Sequence, residues 1–109
     1  MTLDDILQKV QGMKIVERRS MTDDYCELVF LSKDLEIWYN AISDSLGEPR
    51  KPAGRQPTDA DQELTVKTGG IWVGQTLFEK KFDNSTIIAK FWPWQDEGNI
   101  TLKIAVLYH

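Results

Sequence analysis

The last third of the chain limits the fold more than any other part. Residues 71–81, 86–92 and 100–108 are apolar runs rich in β-branched and aromatic side chains, separated only by Asp83-Asn84-Ser85 and Gln95-Asp96-Glu97-Gly98-Asn99. Links this short and polar reverse the chain, so the runs predict an antiparallel meander. Strict alternation assigns Ile71, Val73, Leu77, Ile87, Ala89, Phe91, Ile100, Leu102, Ile104 and Val106 to one side, and Trp72, Phe78, Ile88, Trp92, Ala105 and Leu107 to the other. Both sides are apolar, and the second must be covered or used. The expectation is that the first helix covers it, that the sheet curls on itself, or that a partner chain covers it.

The first half of the chain supplies helices for such a sheet. Leu3, Ile6, Leu7 and Val10 share one helical face, with Thr2 and Asp5 at capping-box spacing ahead of them and Gly12 as the stop. Residues 14–19 and 25–31 read as two strands, the second alternating Cys26, Leu28 and Phe30 against Tyr25, Glu27, Val29 and Leu31. Ser32 is placed to cap a second helix whose stripe, Leu35, Trp38, Tyr39, Ile42 and Leu46, ends at Gly47 ahead of Pro49. Residues 48–66 hold Pro49, Pro52, Pro57 and Gly54 and few large apolar side chains, which predicts a long exposed loop from which residues 50–57 can be removed without loss of the fold. The fold class is α+β: an N-terminal helix, then β-β-α-loop-β-meander, giving an antiparallel sheet of about five strands packed with two helices in a single domain over residues 1–109.

Composition narrows the functional classes. A chain of 109 residues, 41% hydrophobic and 28% charged, suits one core and is unlike a disordered segment. No apolar run reaches the ~20 residues that span a bilayer, and Asp4 and Asp5 stand where a secretory leader carries Lys or Arg. These features predict a cytoplasmic protein that does not engage a membrane. Cys26 is the sole cysteine, which fits a reducing compartment, and the net charge of −4 acts against binding nucleic acid.

No catalytic residue stands out. The one histidine is His109, the last residue, and Cys26 falls in register with core positions. Asp59-Ala60-Asp61-Gln62-Glu63 opens like a calcium loop, but Leu64 occupies the sixth position, where glycine is needed, and Gly70 the twelfth, where glutamate is needed. No metal and no cofactor are expected. The leading reading is a non-catalytic binding protein that acts through Trp72, Ile88, Trp92 and Trp94, with another polypeptide or a second copy, as a homodimer, on that face. A second reading is a small-molecule binder or enzyme in which Arg50, Lys51 and Arg55 hold an anion under the 48–66 loop. A third is single-stranded nucleic acid on the sheet, with Lys90 and Lys103 beside Trp72 and Trp92.

Overall fold

The computed structural model describes residues 1–109. Three helices and a five-stranded antiparallel sheet make an α+β fold. In chain order these are α1 (Leu3–Lys9), β1 (Glu17–Met21), β2 (Tyr25–Leu31), α2 (Leu35–Leu46), α3 (Asp59–Thr65), β3 (Thr76–Lys81), β4 (Ser85–Pro93) and β5 (Asn99–Tyr108). The strands lie in the order β1-β2-β5-β4-β3, so the N-terminal hairpin adds to the last strand of the meander. No helix is long and apolar enough to cross a membrane.

Local chemistry sets the helix ends. The Asp5 carboxylate accepts from the Thr2 backbone N–H at 2.7 Å, and the Thr2 hydroxyl accepts from the Asp5 N–H at 3.3 Å, which completes the box read from the sequence. Gly47, at φ 83°, ends α2 in a backbone region that a side chain disfavours. Ser32 does not cap α2. It opens a 3₁₀ turn, Ser32–Asp34, and its N–H bonds to the Gly98 carbonyl.

α1 and α2 both pack on one face of the sheet, here called the inner face. Leu3, Ile6 and Val10 from α1 and Trp38, Ile42 and Leu46 from α2 meet Cys26, Leu28, Phe30, Ile87, Ala89, Phe91, Leu102 and Ile104 in one cluster. Phe30 stacks on Trp38 at 4.8 Å, and Phe91 meets Phe30 and Phe78 edge-on. Each such ring, taken fully from water, contributes about 2–3 kcal/mol. One polar atom in this layer is unmatched: the buried Ser45 hydroxyl on α2 has no hydrogen-bonding partner. Ser45→Ala is therefore expected to raise the unfolding free energy by about 1 kcal/mol, measured by urea denaturation, because it removes a desolvated hydroxyl and improves helix propensity.

The first helix thus leaves the other face alone, contrary to expectation. Residues 48–66 reach that outer face instead of forming an exposed loop: they contain α3, and Lys51, Asp61 and Thr65 are buried. Lys51 exchanges two backbone hydrogen bonds with Leu77, at 3.1 and 2.9 Å, and so joins the sheet beside β3. α3 runs on through a 3₁₀ turn, Val66–Thr68, and stops at Gly69 and Gly70, which have φ of 95° and 79°. These glycines end a helix and do not open a strand. A second small cluster, Ile71, Leu77, Ile88 and Ala105 with Leu64, Tyr25 and Leu107 against it, forms underneath.

The side assignments of the meander hold for β4 and β5 but reverse in β3. Phe82 and Ser85 close a turn with only Asp83 and Asn84 at its tip, so Lys81 pairs with Thr86 and Leu77 with Lys90. Odd-numbered residues of β3 therefore oppose even-numbered residues of β4. A shift of one residue exchanges faces, and Phe78 enters the inner cluster while Leu77 turns outward. Residues 71–75 are not strand: the Gln75 N–H bonds back to the Trp72 carbonyl, and β3 begins only at Thr76.

Candidate functional site

The segment from residue 48 to residue 75 forms a strap over part of the outer face, and cations fasten it. Arg50 donates through Nε to Asp61 at 2.7 Å and through a terminal nitrogen to Glu79 on β3 at 3.0 Å. Asp61 is also the third residue of a capping box on α3, with Thr58 as the cap. Burial pushes the Asp61 carboxyl up, but the Thr58 N–H, the Arg50 guanidinium and the Thr58 hydroxyl outweigh it and hold the group below the usual carboxylate range.

Two lysines fasten the second half of the strap. The Lys51 ammonium, wholly buried, donates to the carbonyls of Pro52, Val73 and Gln75 at 3.0, 3.1 and 2.6 Å, and burial and Arg55 lower its pKa. Lys90 reaches up from β4 to the carbonyls of Thr68 and Gly70 at 2.6 and 2.7 Å. Burial lowers the Lys90 pKa to about 8, with the positive charge of Lys103 acting in the same direction and Glu27 opposing. Lysines at the last carbonyls of a helix also complement its negative end.

These contacts account for most of the basic candidates at residues 50–55. Lys51 is engaged inside the protein, the part-exposed Arg50 is paired with Asp61 and Glu79, and Arg55 is exposed, donating to the Arg50 carbonyl. The three do not converge on an anion site. Ile88 is likewise no surface anchor, because it lies 1% exposed within the second cluster.

Trp72, Trp92 and Trp94 do come together. They line an open cleft of about 670 Å³ beyond the end of the strap, floored by Glu27, Thr101 and Lys103 and rimmed by Arg19, Pro93, Gln95 and Asp96. Trp72, 60% exposed, meets the half-buried Trp92 edge-on at 5.6 Å. Trp94 donates its indole N–H to the Thr101 hydroxyl at 2.7 Å, which fixes the ring above β5. Lys103 stands 4.8 Å from the centre of the Trp92 ring, and the Arg19 guanidinium 5.1 Å from that of Trp94, both within cation–π range.

Arg19, Glu27 and Thr101 were not among the sequence candidates. Arg19 sits at a bulge: Arg18 opposes Leu28 and Ser20 opposes Glu27, leaving Arg19 as the extra residue, and a bulge re-aims its side chain. Glu27 lies 3.8 Å from Arg19 and 4.0 Å from Lys103 and accepts the Tyr25 hydroxyl at 2.7 Å. Cross-strand register could have brought Glu27 and Lys103 together, since they pair directly, but nothing in the sequence marks the bulge.

Cys26 and His109 lie outside the cleft and are held by the fold. Cys26 is fully buried, and burial pushes its thiol up to about 11, so it carries no thiolate at neutral pH. His109 is tied down rather than frayed: its ring meets the Thr86 hydroxyl at 2.7 Å and its N–H bonds to the Asn84 carbonyl. No protein-family model, curated protein or solved structure matches this chain. The functional reading therefore rests on the chemistry of the cleft.

Proposed function

We propose that this is a non-catalytic binding protein that takes an extended segment of another polypeptide into the indole-lined cleft. The observation that carries this reading is Trp72: a large apolar ring, mostly in water, on backbone that is already held in place. The Trp72 N–H bonds to the Gln75 side chain at 3.1 Å, Lys51 holds the carbonyls of Val73 and Gln75, and Gln62 bonds both backbone groups of Ile71. A ring displayed on a rigid loop loses little further freedom when a ligand covers it, and preorganisation of this kind turns buried area into affinity. Tryptophans lining a concave patch with an arginine at its rim also match the composition of interface anchors.

Two alternatives lose support from the same side chains. Lys90, which a nucleic-acid platform would need for phosphate, is 1% exposed and bonded to the strap, and the net charge remains −4. The anion reading needed Arg50 and Lys51; all three donors of Lys51 are taken up internally, and the charge of Arg50 is already paired with Asp61 and Glu79.

Trp72→Ala provides the test. Its unfolding free energy is expected to stay within about 0.5 kcal/mol of wild type, because the ring has little to lose. Affinity for peptides selected on the wild-type protein should fall roughly 30-fold, the effect of losing one interface anchor worth ~2 kcal/mol. Unchanged peptide affinity would place the binding surface elsewhere. A concentration-dependent dimer in light scattering, abolished by the same substitution, would move the reading to self-association.

A further inference from the structure

Resting on that reading, we infer that the bound segment carries a carboxylate side chain beside an apolar or aromatic one, the carboxylate entering between Arg19 and Lys103 and its neighbour covering Trp72. The support is an unequal count of donors and acceptors in the cleft. Arg19 uses Nε on Glu17 at 3.2 Å, while its terminal nitrogen lies 3.8 Å from Glu27, beyond hydrogen-bonding distance. Lys103 makes one long bond, 3.4 Å to the Thr68 carbonyl, and stands 4.0 Å from Glu27. Between them these two side chains keep most of their N–H groups free.

The acceptors, by contrast, are mostly engaged, one oxygen of Glu27 excepted. Glu27 takes the Tyr25 hydroxyl, Thr101 takes the Trp94 indole N–H, and both oxygens of Asp96 are turned into their own turn, on the Gly98 N–H and the Asn99 amide. Burial, followed by the Glu27 hydrogen bond, raises the Tyr25 pKa, so the phenol keeps its proton and remains a donor to Glu27. A site in which free donors outnumber free acceptors is complementary to a ligand group that only accepts, and among such groups in a polypeptide the carboxylate is the charged one, matched to two cations. Glu27 cancels part of the charge of the two cations, so what recognises the acid is a few placed N–H groups and not a broad positive field. A nucleic-acid strand needs a succession of cations, and the next lysine along this face, Lys90, is committed to the strap.

The test is selection of a displayed heptapeptide library on the immobilised full chain, followed by binding measurements with the best synthetic peptides. Expected winners carry Asp or Glu within two positions of Phe, Tyr, Trp or Leu. Converting that acid to its amide should weaken binding roughly tenfold or more, the size of a lost charge-assisted hydrogen bond. On the Arg19→Gln, Lys103→Gln double variant the acid and amide peptides should bind equally. Arg19→Gln alone, at a side chain 38% exposed, serves if the double variant does not fold, and should reduce the preference at least threefold. Peptides that depend on Trp72 but bind equally as acid and amide would overturn this inference and leave the binding reading standing. Recovery of no peptide, with or without binding of a labelled oligothymidylate, would overturn both.

Discussion

Lys51→Met is expected to lower the unfolding free energy by about 1–2 kcal/mol, although the residue lies in a stretch that reads as a solvated loop. Methionine keeps the length and the apolar stem of the side chain, so the loss isolates the ammonium. The carbonyls of Pro52, Val73 and Gln75 lose their shared donor; Val73 keeps the Gly54 N–H at 2.7 Å and Pro52 a long bond from the Arg55 N–H at 3.4 Å, so the Gln75 carbonyl is the one left unpaired, at a cost of roughly 1–3 kcal/mol. Removing a buried charge whose pKa is already lowered returns part of that loss. Urea denaturation measures the total, and amide hydrogen exchange at residues 71–75 should show where it falls. A variant as stable as wild type would mean that the strap does not need its central fastening. Excising residues 50–57 removes the Arg50 ion pairs and the Lys51 bridge together, so it is expected to be worse than the point substitution and not neutral.

The second large effect concerns pH. Lys90 titrates near 8 in the folded chain, whereas in the unfolded chain it returns to the ordinary 10.5. Between those values the unfolded state binds more protons, so stability rises with pH across the window; the penalty for burying the charge is complete below pH 8 and relieved above it. The full difference amounts to about 3 kcal/mol. Cys26 acts in the opposite sense, because its folded thiol holds its proton to about 11 and destabilises the fold once the unfolded thiol ionises. The useful quantity is therefore the difference in unfolding free energy between wild type and Lys90→Met. It should grow in favour of wild type by about 1 kcal/mol per pH unit between pH 8.5 and 9.5. Parallel pH profiles for the two proteins would show that the Lys90 ammonium is not held out of water.

What could be read in advance follows a physical line. α1, α2 and the order of the last two strands came from signals local in the chain: the Thr2 and Asp5 box, the Trp38 stripe, and the alternation of Ile87, Ala89 and Phe91 against Leu102 and Ile104. α3 carries the same local signal, Thr58 with Asp61, as the one that marked α1. It was hidden because the residues it buries are Asp61 and Thr65, so it shows no apolar stripe, and the prolines before it draw attention first. Asp61 can be buried only because Arg50, eleven positions earlier, comes back to meet it, a contact that no window of periodicity contains. The face of β3 depended on one residue of turn length. The cleft was half legible: three indoles near one corner, and Lys103 on the face of Trp92, were visible, but Arg19 is delivered by a bulge and Glu27 by cross-strand pairing.

The Lys51 bridge has a consequence for how a ligand can be held. It occupies the start of one margin of the sheet, and Lys80 and Lys81, both exposed, guard the rest of that strand. The opposite margin is β1, where the irregular step at Arg19 breaks the spacing of outward amides and Glu17, Arg18 and Arg19 bring charge. Neither border therefore offers a clean template for another chain to zip onto, which protects the protein from stacking into fibrils. On the proposed reading, a polypeptide in the cleft would be gripped by its side chains, so selectivity would depend on residue identity and hardly at all on backbone length.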